Sequence, residues 1–502
     1  MNIAKLRELK VLQEPEQVSF VSGGREMTNY EFLSQARRLV TVLKNLGVER
    51  GDRVIVQMPN CVEVLQSFGA IWRLGAVAVP VNYLLKDDEI ASIYADSGAK
   101  VVISVKDFLP KIQAGQAKAP QMKTVLLVND DVPDGMYSFH ALVDKAPETA
   151  DIEDVADDDL AALIYTAGTT GQSKGVMLTH GSLYANSKMS YESTKMPHGM
   201  TNITVLPLCH AYGIAVANSG LFYERTKSVI LNTFDLETLF ASIDKYDAKL
   251  VALVPTMYVF MLMYPNPNNH DLSRVKYWMC GSAPLSRATW DSFYERFGGK
   301  IFEGWGLSES GASGSANPCD GRPIKVGSIG IPFVGMTMGI MDDDGKLIGD
   351  NQSGEIVLQG PSIMKGYWNK PEETAKVLID GWLHTGDVGY RDEDGYYWIT
   401  DRKKDLIIKG GENISPRTIE EALYAHPKVA EASVIAVKDE VYGENIKAFV
   451  SLKPGQAATV EEILAHCKTK LANFFLPQEI VFMDALPKNL VGKILKKELR
   501  KL

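Results

Sequence analysis

Between Ile164 and Val176 the chain reads Ile-Tyr-Thr-Ala-Gly-Thr-Thr-Gly-Gln-Ser-Lys-Gly-Val. Glycines let backbone N–H groups approach an anion; the hydroxyls of Thr166, Thr169, Thr170 and Ser173 add donors, and Lys174 adds a point charge. This is the chemistry of a polyphosphate cradle. It is not a Walker A loop, which needs Gly, four residues, Gly-Lys-Ser/Thr and an immediate helix. Here the lysine precedes a glycine, and a strand-like Val-Met-Leu follows. Gly171 to Gly175 also spells G-x-S-x-G, the nucleophile elbow, which would make Ser173 the nucleophile of a serine hydrolase. An elbow needs a helix after the serine, and Val-Met-Leu-Thr is a poor helix start.

Other segments carry chemistry that is ambiguous one at a time. His210 lies in Leu-Pro-Leu-Cys-His-Ala-Tyr-Gly, where a lone histidine is more often a core residue than a catalytic one. The turn Gly281-Ser282-Ala283 after Trp278-Met279-Cys280 is small enough to admit a planar ring against backbone. Trp305 stands between Gly304 and Gly306, exposed on both faces and suited to stacking, with Ser308 and Glu309 just beyond. A carboxylate such as Glu309 can hold a hard divalent cation together with phosphate oxygens, or can simply be solvated. Asp387 in Thr-Gly-Asp reads locally as a turn aspartate, and Lys493 in Gly-Lys-Ile as one charge of a basic C-terminal run.

Taken together, these stretches resemble the signatures of the adenylate-forming superfamily: acyl-CoA synthetases, aryl-CoA ligases, luciferases and peptide-synthetase adenylation domains. The loop matches Thr-Ser/Ala-Gly-Thr-Thr-Gly-x-Pro-Lys-Gly with only Ser173 departing from it, and the match runs over nearly the whole chain. The resemblance implies that Thr166, Thr169, Thr170, Ser173 and Lys174 hold the β- and γ-phosphates of ATP and that Glu309 holds Mg²⁺. Gly281, Ser282 and Ala283 would line the adenine, and Trp305, where tyrosine is usual, would stack on it beside Gly306; Ser308 keeps the hydroxyl of the usual threonine. Asp387 and Arg402 would contact the ribose, His210 would lie between carboxylate and nucleotide, and Lys493 would be the catalytic lysine. Lys404 falls on the hinge, and Gly410 and Gly411 on the loop that lines the pantetheine channel of coenzyme A.

The totals agree with a multidomain enzyme. A chain of 502 residues exceeds one ordinary core. Its 45% hydrophobic and 23% charged content is that of a soluble globular protein. The net charge of −9 argues against a nucleic-acid binder. Five dispersed cysteines without a C-x-x-C pair fit unpaired thiols in the cytoplasm. No stretch is apolar for long enough to cross a bilayer, and nothing bars peripheral contact with one.

The elements that position these residues alternate. Thr28 to Gly47 is a helix with a Thr28/Glu31 capping box, Arg53 to Met58 a strand, Val62 onward a helix, and Val77 to Val81 and Lys100 to Ser104 strands. The expected fold is α/β: a large N-terminal domain, 1–401, of parallel sheets layered with helices. From about 329 to 400 its texture becomes hairpin-rich and antiparallel, and a small mobile α+β lid, 402–502, follows.

The implied reaction is ATP-dependent activation of a carboxylic acid through an acyl-adenylate, then transfer to the thiol of coenzyme A. Gly304 stands where malonate-activating relatives carry an arginine, so a monocarboxylic acid is expected, first a medium- or long-chain fatty acid and second an aromatic acid. Phe474-Phe475-Leu476-Pro477-Gln478 lacks the basic residues that often contact the nucleotide end of coenzyme A, which leaves another acceptor open.

Overall fold

The computed structural model describes residues 1–166, 173–265, 269–490 and 492–502. The fold is mixed α/β, with a large N-terminal domain built on parallel sheets and a small C-terminal domain. The N-terminal helix signal is realised closely: Thr28 accepts from the Glu31 N–H at 3.1 Å while Glu31 accepts from the Thr28 N–H at 2.7 Å, starting the helix Asn29–Asn45. Apolar Phe32, Ala36, Leu39, Val40 and Leu43 turn to one buried face.

Among the described residues, the large domain contains an eight-stranded and a nine-stranded sheet. In the first, Arg53–Gln57, Val77–Pro80 and Val101–Ser104 run parallel and are mostly apolar and buried, as strands covered by helices on both faces must be. Leu160–Thr166 and Lys174–Thr179 extend this sheet as an antiparallel pair, with Thr166 opposite Lys174. A strand therefore follows Ser173 where the nucleophile elbow requires a helix. That corrects the serine-hydrolase alternative, because nothing presents the Ser173 hydroxyl on a strand-to-helix turn.

In the second sheet Thr201–Thr204, Leu250–Leu253, Tyr277–Cys280 and Ile301–Trp305 are parallel neighbours. Such sheets place ligands beyond the carboxyl ends of their strands. The segments just past these four ends are Leu206 to His210, Pro255-Thr256, Gly281-Ser282 and Trp305-Gly306.

Thr337–Met341, Gly354–Gln359, Trp382–Arg391 and Tyr397–Arg402 form an antiparallel sheet, as the hairpin-rich texture implied. A turn over Lys403 to Asp405 leads into the small domain. There Val429–Asp439 and Gly443–Leu452 pair as a long antiparallel hairpin whose polar ends continue the ladder up to Asp439 opposite Gly443. Helices Pro416–Tyr424 and Val460–Lys468 contribute Ile419, Leu423 and Ile463 to its own apolar cluster.

Where the two domains meet, the Thr256 hydroxyl donates to the Gly492 carbonyl at 2.7 Å, and the Arg287 N–H donates to Glu421 at 3.3 Å. Arg417 donates to the Gly327 carbonyl at 3.4 Å. Each apolar cluster among the described residues lies wholly on one side of this seam. No helix of the described residues is long and apolar enough to cross a membrane.

Candidate active site

A cavity of about 940 Å³, counting its open mouth, lies beyond those strand ends. His210, Gly281, Ser282, Trp305, Gly306 and Ser308 line one end, and Thr194, Met196, Tyr223, Leu250 and Met279 the other.

His210 caps the helix Ala211–Ser219: its Nδ1 accepts the Tyr212 N–H at 3.2 Å. That bond leaves the proton on Nε2. Burial, and next the Lys493 ammonium, push the imidazole down to about 4, so it is neutral at physiological pH and offers a donor. Gly213 allows the turn, since a Cβ there would sit 2.2 Å from the Pro207 carbonyl oxygen.

Ser282 carries φ +71°, a left-handed conformation that costs a non-glycine residue about 1–3 kcal/mol and marks a backbone held by its surroundings. A Cβ on Gly281 would touch the Tyr212 ring at 3.2 Å, so the small-residue turn is needed for close packing. Trp305 packs over Gly314, where a Cβ would lie 2.7 Å from its ring. Its indole N–H donates to Asp387 at 2.9 Å.

Asp387 and Arg402 are cross-strand partners, and Arg402 Nε lies 3.0 Å from the other carboxylate oxygen of Asp387. Asp387 is 2% exposed. The half-buried Lys493 ammonium shares this enclosure: burial, and next Arg402, lower it to about 8, while Asp387 and Asp405 act in the opposite sense and Lys404 adds to the lowering. Lys493, Arg402, Lys404, Asp387 and His210, spread over nearly 300 residues of sequence, thus come within electrostatic reach of one another, and His210 among them lines the cavity.

Glu309 lies in the short turn Ser308–Ser310 and accepts the Tyr367 hydroxyl at 2.8 Å. Thr166 and Ser173 flank the cradle; Thr169 and Thr170 lie outside the described residues. Gly410 and Gly411 adopt φ +58° and +86° in a hairpin turn on the small domain, outside the cavity lining, and Gly410 lies next to the rings of Tyr442 and Phe474.

Several residues of this site carry no sequence signal. Tyr367 bridges Glu309 toward the phosphate loop, and Glu303, 7% exposed, has a carboxyl raised by burial to about 7 while accepting the Gly327 N–H at 3.0 Å. Glu303 lies in the strand Ile301–Trp305 beside apolar Ile301 and Phe302. In the fold it comes within electrostatic reach of Arg417 and Glu421 of the small domain.

The sequence matches the AMP-binding enzyme family over residues 8–368 and the AMP-binding enzyme C-terminal domain over 418–493. A long-chain-fatty-acid–CoA ligase of Bacillus subtilis (strain 168) is 37% identical over 521 residues, covering 97% of this chain and 91% of that one. A feruloyl-CoA synthase of an Amycolatopsis species is 34% identical, covering 97% of this chain and 96% of its own. The crystal structure of the anthranilate CoA ligase AuaEII in complex with anthranoyl-AMP superposes with a TM-score of 0.95 at 27% identity, over 100% of this chain and 97% of that one. With the family matched over most of both domains and a relative above 30% identity nearly end to end, the chain belongs to the AMP-binding, adenylate-forming enzymes, in their acyl-CoA synthetase branch.

Proposed function

We propose that this protein joins a monocarboxylic acid to coenzyme A in two steps, with ATP cleaved to AMP and pyrophosphate. The observation that carries this reading is the gathering of Lys493, Asp387 and Arg402 near two residues that line the cavity, His210, which feels the Lys493 charge, and Trp305, which donates to Asp387. An oxygen of the acid attacks the α-phosphorus and pyrophosphate leaves; the sulfur of coenzyme A then attacks the acyl carbon and AMP leaves. The first step brings anions together, so catalysis rests on positioning and charge neutralisation. Lys493 stands where that charge builds, His210 offers Nε2–H to the acid's carboxylate, and Asp387 with Arg402 accepts and orients the ribose. Thr166, Thr169, Thr170, Ser173 and Lys174 hold the outer phosphates, and Trp305 with Gly281, Ser282, Ala283, Gly306 and Ser308 encloses the base.

Magnesium fits Glu309. Among the described residues one carboxylate oxygen is taken by Tyr367, the other has no hydrogen-bond partner, and there is no cluster of three ligating residues. Such a site suits an ion that takes one carboxylate and completes its shell with phosphate oxygens and water. When bound, the ion would neutralise phosphate charge.

The acid is a medium- or long-chain fatty acid on the strength of the apolar lining that Met196, Met279, Val216 and Tyr223 give the cavity. An aromatic acid is the second reading, favoured by hydroxyls that line the cavity (Ser190, Thr194, Ser219, Ser313) and by the feruloyl and anthranilate ligases among the similar proteins. Acid-dependent ATP–pyrophosphate exchange across a panel of acids, with and without coenzyme A, tests all of this. Octanoate or a longer acid is expected to outpace feruloyl-type acids and malonate, and a preference for malonate would reject the monocarboxylate argument. The same assay shows whether the acceptor is coenzyme A, because only then does the thiol drive net AMP formation.

We further propose that the large domain ends at 401, that Lys404 is the hinge, and that the small domain turns to bring Gly410 and Gly411 to the thiol. Lys404 lies in the turn between two strands, and a proline there fixes φ and removes the N–H. Lys404→Pro is therefore expected to leave pyrophosphate exchange near wild type and to slow thioester formation by about tenfold or more. Equal rates in the two half-reactions of that variant would remove the hinge.

A further inference from the structure

Lys174 starts the strand Lys174–Thr179 just after the phosphate loop, and its ammonium is already engaged. Nζ donates to Oε2 of Glu373 at 2.6 Å and lies 4.9 Å from the centroid of the Tyr367 ring. The lysine side chain is 16% exposed and the glutamate 34%, so the cation is enclosed and its partner sits toward solvent. Tyr367 is also the residue whose hydroxyl donates to Glu309. One ring therefore spans from the phosphate-gripping lysine to the carboxylate assigned to the metal. Glu373 lies on the short helix Pro371–Ala375, and its other oxygen accepts from Lys376 Nζ at 2.6 Å. Lys174 and Lys376 together hold the Glu373 carboxyl down to about 2, so it is ionised at any pH at which the enzyme works.

We propose that Glu373 is a resident anion of the nucleotide site: it holds Lys174 in place while the site is empty and yields it to the terminal phosphates of ATP. This rests on the adenylation reading above. An ammonium has three donors, but a carboxylate against its face and a polyphosphate arriving there repel each other across a few ångströms. The more highly charged anion wins the lysine, and Lys376 gives the displaced carboxylate a second ammonium on the same helix. When pyrophosphate is made, the same carboxylate competes for Lys174 again and shortens the stay of the product. Glu373 thus weakens ATP and pyrophosphate binding, in exchange for an ordered lysine and faster turnover of the site, and it has no means of acting on AMP, which lacks the outer phosphates.

The test is calorimetric titration of the whole protein with MgATP, pyrophosphate and AMP, for wild type, E373Q, E373A, K174A and K174A/E373Q. Neutralising an ion pair of this exposure is expected to tighten ATP and pyrophosphate by about three- to fivefold, to leave AMP unchanged, and to have no effect once Lys174 is absent. The gain should shrink as salt is raised, because the competition is between charges near solvent. Weaker ATP binding in both E373Q and E373A would overturn the proposal and make Glu373 a positioning residue for Lys174. Unchanged ATP affinity in both, with wild type binding ATP and AMP normally, would overturn this proposal alone. If wild type binds neither nucleotide, the adenylation reading falls and takes this one with it.

Discussion

Replacing Lys493 with alanine is expected to slow acyl-adenylate formation by about a hundredfold or more, the scale of losing one preorganised donor at a developing charge. Thioester formation from supplied acyl-adenylate should be spared. The two half-reactions are separable by pyrophosphate exchange and by single-turnover transfer to coenzyme A, and equal loss in both would deny the lysine this role. A pH profile gives an independent reading. Burial, with Arg402 next, holds the Lys493 ammonium to about 8, and the charged form is the useful one. The charge is present below that pH and lost above it, so kcat/KM for adenylation should fall as pH rises through about 8 in the free enzyme. K493A should lack that limb.

Asp387→Ala should cost the most in nucleotide binding. The carboxylate is 2% exposed and takes two charge-assisted bonds, from Arg402 and from the Trp305 indole. Removing it leaves a guanidinium and an indole N–H without their partner and takes away the acceptor proposed for the ribose. Hydrogen bonds to a charged group are worth about 1.5–3 kcal/mol each, so AMP affinity should fall by about tenfold to a hundredfold. Arg402 is 36% exposed, so its share is at the low end of that range. Titration with AMP measures the loss directly, and Asp387→Asn, which keeps the shape and one acceptor, should recover part of it. An unchanged AMP affinity in Asp387→Ala would remove Asp387 from the nucleotide site.

Local grammar made part of this molecule legible. The capping box at Thr28 and Glu31 and the buried runs at Arg53 to Gln57 and Val101 to Ser104 are decided by neighbours a few residues away, and each appears where its spacing put it. The strand after Ser173 was legible for the same reason, since Val-Met-Leu prefers a strand. The partnerships were not. Glu373 meets Lys174 across 199 residues and Thr256 meets Gly492 across 236. Glu303 lies in an otherwise apolar strand, and its burial against the small domain depends on how the two domains dock. Such pairs leave no periodicity in the chain, because the three-dimensional arrangement alone makes them neighbours.

The seam between the domains has a thermodynamic consequence. Its bonds among the described residues are few and polar, and no greasy cluster straddles it. Parting the two halves would wet little hydrocarbon, so the docked and undocked postures should differ only slightly in heat capacity. Their ratio should then drift gently on warming, and the protein could exchange one posture for the other at any growth temperature without approaching the melting of either half.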